Sequence, residues 1–258
     1  MIANPDHRAA TRLGRAVRAT TEGAALSAGG HREAHRQSNW LRDVILGGQD
    51  GLVNILGIIL GVIAGGGSDV VLLAAGFAAA ITESISMAAV GYTSSVSERD
   101  YYEAERARET AEIDTMPDSE RQEIRDIYAS KGFSGELLDG VVNTITANRD
   151  TWLTTMMDEE LHLQPVQSRD ILRTAVVIGI ATLIGHLIAL VPFVVLPRTP
   201  ALVLAIVLSA VALFGVGAYT GVTLVGDWRK SGLKFLAIGL GAAAIGFFVG
   251  RLFNATGA

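Results

Sequence analysis

Cysteine is absent from this chain of 258 residues, which excludes disulfides, thiolate metal sites and cysteine redox chemistry. Charged residues are scarce at 18%, and the few present are segregated, so the formal net charge of −5 carries little information by itself. Proline occurs 6 times, and Pro117, Pro197 and Pro200 stand where candidate helices start or break. No apolar run precedes Trp40, so a cleaved signal peptide is not expected. What the chain has is apolar residues, half of its length, and 29 glycines. That profile suits a membrane protein interrupted by one polar stretch.

Five segments approach the roughly 20 apolar residues that a bilayer span requires, near 44–65, 70–95, 172–196, 201–225 and 233–253. The turn "AGGGSDV" joins the first two into a hairpin, "LPRTP" separates the third and fourth, and "GDWRKSG" separates the last two. The expected fold is an all-α membrane protein with five transmembrane helices and a helical insert between the second and third. Its divisions are residues 1–43, a partly mobile amino-terminal segment; 44–96, two spans; 97–170, the insert; and 171–258, three spans. Arg32, Arg36, Arg42, Arg99, Arg106, Arg108, Arg169, Arg173, Arg229, Lys230 and Lys234 flank one set of span ends, against Arg198 and Arg251 on the other. The positive-inside rule then predicts a cytoplasmic amino terminus and insert, with the carboxyl terminus on the opposite side.

Within the insert, "SERDYYEAERARETAEID" continues the second span without a breaker. Pro117 opens the next helix at a first-turn position and Gly132 ends it; Ser134 and Asp150 are the expected caps of two more helices. Glu109 and Glu112, and likewise Glu120 and Glu123, are spaced to share a helix face. Met156 and Met157 precede Glu159 and Glu160 by helical spacings. Convergence of these faces makes an oxygen-rich cage edged by thioethers, a donor set for a divalent cation in which sulfur favours Fe²⁺ over Ca²⁺ or Mg²⁺. Any single acidic pair, taken alone, reads as a solvated helix surface.

The spans carry ionisable groups of their own. "ILGGQDGLVNILGIILGVIAGG" holds Asp50, with Gln49 and Asn54 beside it, and the second span holds Glu83 with Met87 four residues on. Intramembrane acids are costly and mark candidate functional sites. An apolar setting favours the protonated acid and a bound cation the ionised one, so metal arrival at Asp50, Glu83 and Met87 would expel protons. His186 in "LIGHLIAL" is expected to be neutral and bonded to a neighbouring helix, with proton relay as its other reading. His31 and His35 have ligand spacing but sit in an arginine-rich segment expected at the membrane surface. "GIILG" and "GFFVG" carry the small-xxx-small spacing of close helix contacts, the former a candidate dimer seam.

The stretches "LRDVILGGQDGLVNILGIILGV", "ITESISMAAVGYTSSVSERDYYEAERARE", "WLTTMMDEELHL" and "SGLKFLAIGLGAAAIGFFVGRLF" occur in an order that resembles the vacuolar iron transporter family across residues 31–253. The resemblance implies a homodimer that moves Fe²⁺, and often Mn²⁺, out of the cytosol in exchange for protons. It implies Asp50 and Met87 along the ion path, and a cytoplasmic metal site of Glu109, Glu112, Glu120, Glu123, Met156 and Glu160, with Met157 or Glu159 completing it. The chain departs from the family at Gly91, where many members carry Glu, and at Gln49, where Asn is more usual. The reading is therefore a proton-coupled metal exporter with no catalytic residues, no resident cofactor and no nucleic-acid partner, expected in a bacterial-type plasma membrane. Its rival is a membrane-anchored metal sensor or buffer.

Overall fold

A computed structural model describes residues 39–256. The His31/His35 pair and the amino-terminal segment 1–28 lie outside the described residues. Among the described residues the elements are eight α-helices and no strands: α1 (Asn39–Ala64), α2 (Asp69–Thr115), α3 (Pro117–Ser130), α4 (Gly135–Thr146), α5 (Arg149–Thr155), α6 (Ser168–Val195), α7 (Arg198–Thr220) and α8 (Trp228–Thr256). A π turn (Met156–Glu160) continues α5 and another (Gly221–Val225) continues α7.

Five helices, α1, α2, α6, α7 and α8, are long and apolar enough to cross a membrane, which makes the protein multi-pass. Helix α6 is their centre: half of its most apolar stretch is buried, more than in any other span. It packs against both α1 and α2, which meet each other less extensively than either meets α6. Ile55, Leu56 and Ile59 of α1, Leu72 and Ala80 of α2, Ala189 and Leu190 of α6, Ala205 of α7 and Ala243 of α8 form one core.

Glycine makes the α1–α6 approach possible. A β-carbon on Gly47 would lie 2.3 Å from the Ile178 carbonyl oxygen, and one on Gly51 would lie 2.3 Å from that of Thr182. The two backbones touch along this line, and Gly51 follows directly on Asp50. The small-residue stripe expected to form a dimer seam also makes contacts within the protomer, although a β-carbon on Gly57 itself would meet nothing within 4 Å. A β-carbon on Gly246 would meet the Gly57 carbonyl at 2.5 Å, and one on Gly250 that of Gly61 at 2.1 Å, so α1 and α8 are in backbone contact there.

Helix α2 is unbroken over its 47 residues, so the span continues directly into the first wall of the insert. Pro117 cannot continue it, and a joint of one residue, Met116, turns the chain into α3. Gly132, at a left-handed φ of 97°, ends α3. Asn148 caps α5, not Asp150, because its Oδ1 accepts from the Thr151 amide at 2.9 Å while Asp150 already lies in the first turn. Ser134 takes the capping position of α4 without a side-chain hydrogen bond. Ile113, Ile124, Leu138, Val142, Ile145, Trp152, Leu153, Met156 and Met157 close a second core, and Arg149 pairs with Asp114 across it. Leu161 caps the π turn, and His162, two residues past its end, takes a left-handed φ of 53° in the segment that leads to α6.

Candidate metal centre

The joint at Met116 decides the geometry of the insert. It folds α3 back so that the acidic face of its first turn meets the acidic face on the last turns of α2. One oxygen each from Glu109, Glu112 and Glu120 lie within 4.8 Å of one another. Opposite ligands of a six-coordinate divalent ion with bonds of about 2.1 Å are about 4.2 Å apart, so a shift of tenths of an ångström brings the three into coordination range.

Two of these carboxylates are buried, Glu109 with 1% and Glu120 with 3% of its surface exposed. Each leaves Oε2 inside the protein without a hydrogen-bond partner. A buried oxygen left this way is expensive unless something positive meets it. A divalent cation supplies that partner, and the oxygen-only donor set fits a hard or borderline ion.

Glu160 reaches the cluster from the π turn, where its carboxyl hydrogen-bonds with that of Glu123. Burial, reinforced by the neighbouring Glu123, Glu109, Glu112 and Glu160, pushes Glu120 up to about 7. Burial with Glu123 and Glu109 nearby pushes Glu160 up to about 7, while Arg108 pulls it down. Glu109 is likewise raised by burial, against a hydrogen bond from Arg108. The cluster thus holds protons near neutrality that a cation can displace.

Met156 and Met157 are fully buried in the insert's apolar core, on the same π turn as Glu160. Glu159 is not brought into the cluster; its Oε2 pairs with Lys131. Sequence reasoning missed Arg108 and Glu105. Arg108 Nη2 lies 2.9 Å from Glu105 Oε2 and 3.3 Å from Glu109 Oε1, and its Nε lies 3.7 Å from Glu112 Oε2. Their i, i+3 and i, i+4 spacing from the named glutamates was the available signal.

A second cluster lies within the spans. The carboxyl groups of Asp50 and Glu83 hydrogen-bond with each other, joining α1 to α2. Asn54, one turn beyond Asp50, donates to Glu83 Oε1. His186 of α6, with no exposed surface, places Nε2 3.0 Å from Glu83 Oε2 and Nδ1 2.9 Å from the Thr182 carbonyl oxygen. That carbonyl only accepts, so Nδ1 carries a hydrogen. Then either Nε2 accepts from a protonated Glu83, or an imidazolium donates to its carboxylate. One proton occupies the His186–Glu83 contact in both cases.

Met87, one turn from Glu83 towards the insert, lines a cavity of about 490 Å³. Arg42, Asp43, Glu98, Asp170, Tyr102 and His162 also line it, so it adjoins the insert's exit segment and reaches α2 one turn short of Glu83; Asp50, Glu83 and His186 do not line it. Asp43 is buried and accepts from Thr174 Oγ1 at 3.2 Å. It stands seven residues before Asp50, a helical repeat that sequence reading passed over.

Five membrane-crossing helices, an ionisable cluster between them and a carboxylate centre in an attached helical domain define a multi-pass membrane protein with two candidate cation sites. The sequence pattern of the VIT family matches residues 41–251, and the chain belongs to that family. It is 35% identical over 197 residues to vacuolar iron transporter 2 of Oryza sativa subsp. japonica, covering 74% of this chain and 80% of that one. It is 34% identical over 223 residues to the vacuolar iron transporter of Centaurea cyanus, covering 84% and 89%. With vacuolar iron transporter 1 of Arabidopsis thaliana it shares 32% identity over 224 residues, covering 86% and 90%.

Proposed function

We propose that the protein is a secondary transporter that carries Fe²⁺, or Mn²⁺ and similar divalent ions, out of the cytosol in exchange for protons. The observation that carries the reading is the Asp50–Glu83–His186 cluster between the spans. A membrane anchor has no use for three ionisable side chains in the apolar layer, whereas an ion path does. The names of the relatives, vacuolar iron transporters, support iron as the cargo. They lend no support to a bacterial-type plasma membrane as its location.

In this reading the ion is captured at Glu109, Glu112, Glu120, Glu123 and Glu160 and displaces the protons they hold. It passes through the cavity lined by Asp43, Glu98 and Asp170 and reaches Met87, Asp50 and Glu83. There it replaces the protons shared by Asp50, Glu83 and His186, and reprotonation of the cluster releases it. The skew of basic residues towards the insert's side of the spans supports a cytosolic insert and amino terminus. The working unit proposed is a homodimer.

The test is metal-dependent proton movement by purified protein in liposomes, compared across Fe²⁺, Mn²⁺, Co²⁺, Zn²⁺ and Mg²⁺. Metal uptake coupled to a proton flux of opposite direction is expected. Tight metal binding with no flux of either kind would replace the transporter by a membrane-anchored sensor or buffer, which the cage alone would equally serve.

A further inference from the structure

Among the carboxylates of the insert stands one base whose position the transport cycle above does not use. The guanidinium of Arg108 touches Glu105, Glu109 and Glu112 at 2.9, 3.3 and 3.7 Å. Two of these, Glu109 and Glu112, belong to the group whose oxygens converge with Glu120; Glu105 does not. Arg108 hydrogen-bonds only one oxygen of Glu109, and the other faces inwards unpartnered. Its side chain is 52% exposed and so has room to swing, whereas Glu105 is only 15% exposed, and its buried Oε2 makes no hydrogen bond but lies 2.9 Å from Arg108 Nη2.

We propose that Arg108 is a tethered counter-cation of the cage, which neutralises the empty carboxylates, competes with the arriving divalent ion and retires onto Glu105 when that ion binds. The inference rests on the cage being a cation site. The direction of the effect follows from charge alone. A divalent ion brings two positive charges to carboxylates that the Arg108 guanidinium already touches. A positive charge held beside the cage opposes that arrival. Glu105 limits the penalty, because it keeps Arg108 paired after Glu109 and Glu112 turn to the metal. A site with such a competitor releases its ion more readily than a bare cage, as a relay requires and a storage site does not.

Mn²⁺ titration of the full-length protein in lipid nanodiscs, followed by the electron paramagnetic resonance signal of free Mn²⁺, tests this. Arg108→Gln should lower the Mn²⁺ Kd about tenfold, the effect of one nearby charge at a partly solvated site, while Arg108→Lys should stay near the wild type. Glu105→Gln should raise Kd in the wild-type background and change it much less in the Arg108→Gln background. An unchanged or higher Kd in folded Arg108→Gln protein overturns the proposal; if that variant does not fold, an unchanged Kd in Glu105→Gln overturns it instead. Wild-type protein that binds Mn²⁺ no better than the Glu109→Gln/Glu120→Gln double variant would remove the cage itself, and the counter-cation with it. Intact wild-type binding with no Arg108 effect removes the counter-cation alone.

Discussion

His186 and Glu83 are 103 residues apart in sequence and 3.0 Å apart in the protein, and one proton must lie between them. The Thr182 carbonyl oxygen, 2.9 Å from Nδ1, fixes which imidazole nitrogen faces the carboxyl group. Asp50 and Asn54 hold the same carboxyl from α1. A proton at this position is within one hydrogen bond of the acid proposed to bind the permeating ion.

His186→Gln tests the use of that proton. Glutamine keeps a hydrogen-bonding group of similar reach but cannot be alternately charged and neutral. Metal binding at the insert should persist and the protein should stay folded. Proton movement driven by metal should fall by about a hundredfold, the usual contribution of a positioned proton-transfer group. Flux near the wild-type rate in liposomes would make His186 a packing residue.

The insert should respond to pH in a defined sense. Glu120 and Glu160 titrate near 7 in the folded protein, above their ordinary value of 4.5. The folded state then holds more protons than the unfolded state between about 4.5 and 7, so stability of the metal-free insert falls as pH rises through this window and levels off above it. Divalent ions compete with those protons, so Mn²⁺ affinity should rise from pH 6 to pH 8 with proton release on binding. Calorimetry in buffers of different ionisation enthalpy measures that release, and its absence would place the ion elsewhere.

Gly51→Ala tests the close approach of α1 and α6. The added β-carbon would lie 2.3 Å from the Thr182 carbonyl and 2.8 Å from His186 Nδ1, so the helices must part or the imidazole must move. A loss of about 1–3 kcal/mol is expected, the usual cost of overpacking. Gly215→Ala, whose β-carbon would meet nothing within 4 Å, should change stability little. Denaturant unfolding of the purified protein in mixed micelles compares the two, and equal effects would mean that the α1–α6 contact is looser than described.

The spans were legible because about 20 apolar residues between turn signals leave few alternatives, and the run of α2 into the insert was legible because nothing in "SERDYYEAERARETAEID" breaks a helix. The paired glutamates could be read from i, i+3 spacing on single helices. Relationships between helices could not. Nothing periodic ties His186 to Glu83, and the stripe at Gly57 and Gly61 contains no mark of whether α8 or a second copy covers it. Near Glu160 helical spacing itself misled, since the π turn from Met156 widens the repeat and turns Glu159 towards Lys131. Arg108 was read only as a flanking positive charge, although it stands among the acids that form the cage.

Asp50→Asn separates an ion ligand from a helix-end group. Asparagine is nearly isosteric and still hydrogen-bonds Glu83, so the α1–α2 contact should survive and the protein should fold. The substitution removes both the negative charge that offsets cation dehydration and one of the groups that binds an exchangeable proton. Metal flux and metal-driven proton flux should therefore be lost together, while Mn²⁺ binding at Glu109, Glu112 and Glu120 stays intact. The two fluxes are measured on the same liposomes, with unfolding of the variant checked separately. Near wild-type export would leave Asp50 as a polar group at the helix end, and the path would then run past Glu83 and Met87 without it. Loss of the fold together with transport would make the Asp50–Glu83 bond a structural clasp between α1 and α2. Loss of metal flux with proton flux retained would mean that Asp50 binds the ion while the His186–Glu83 pair alone handles the proton.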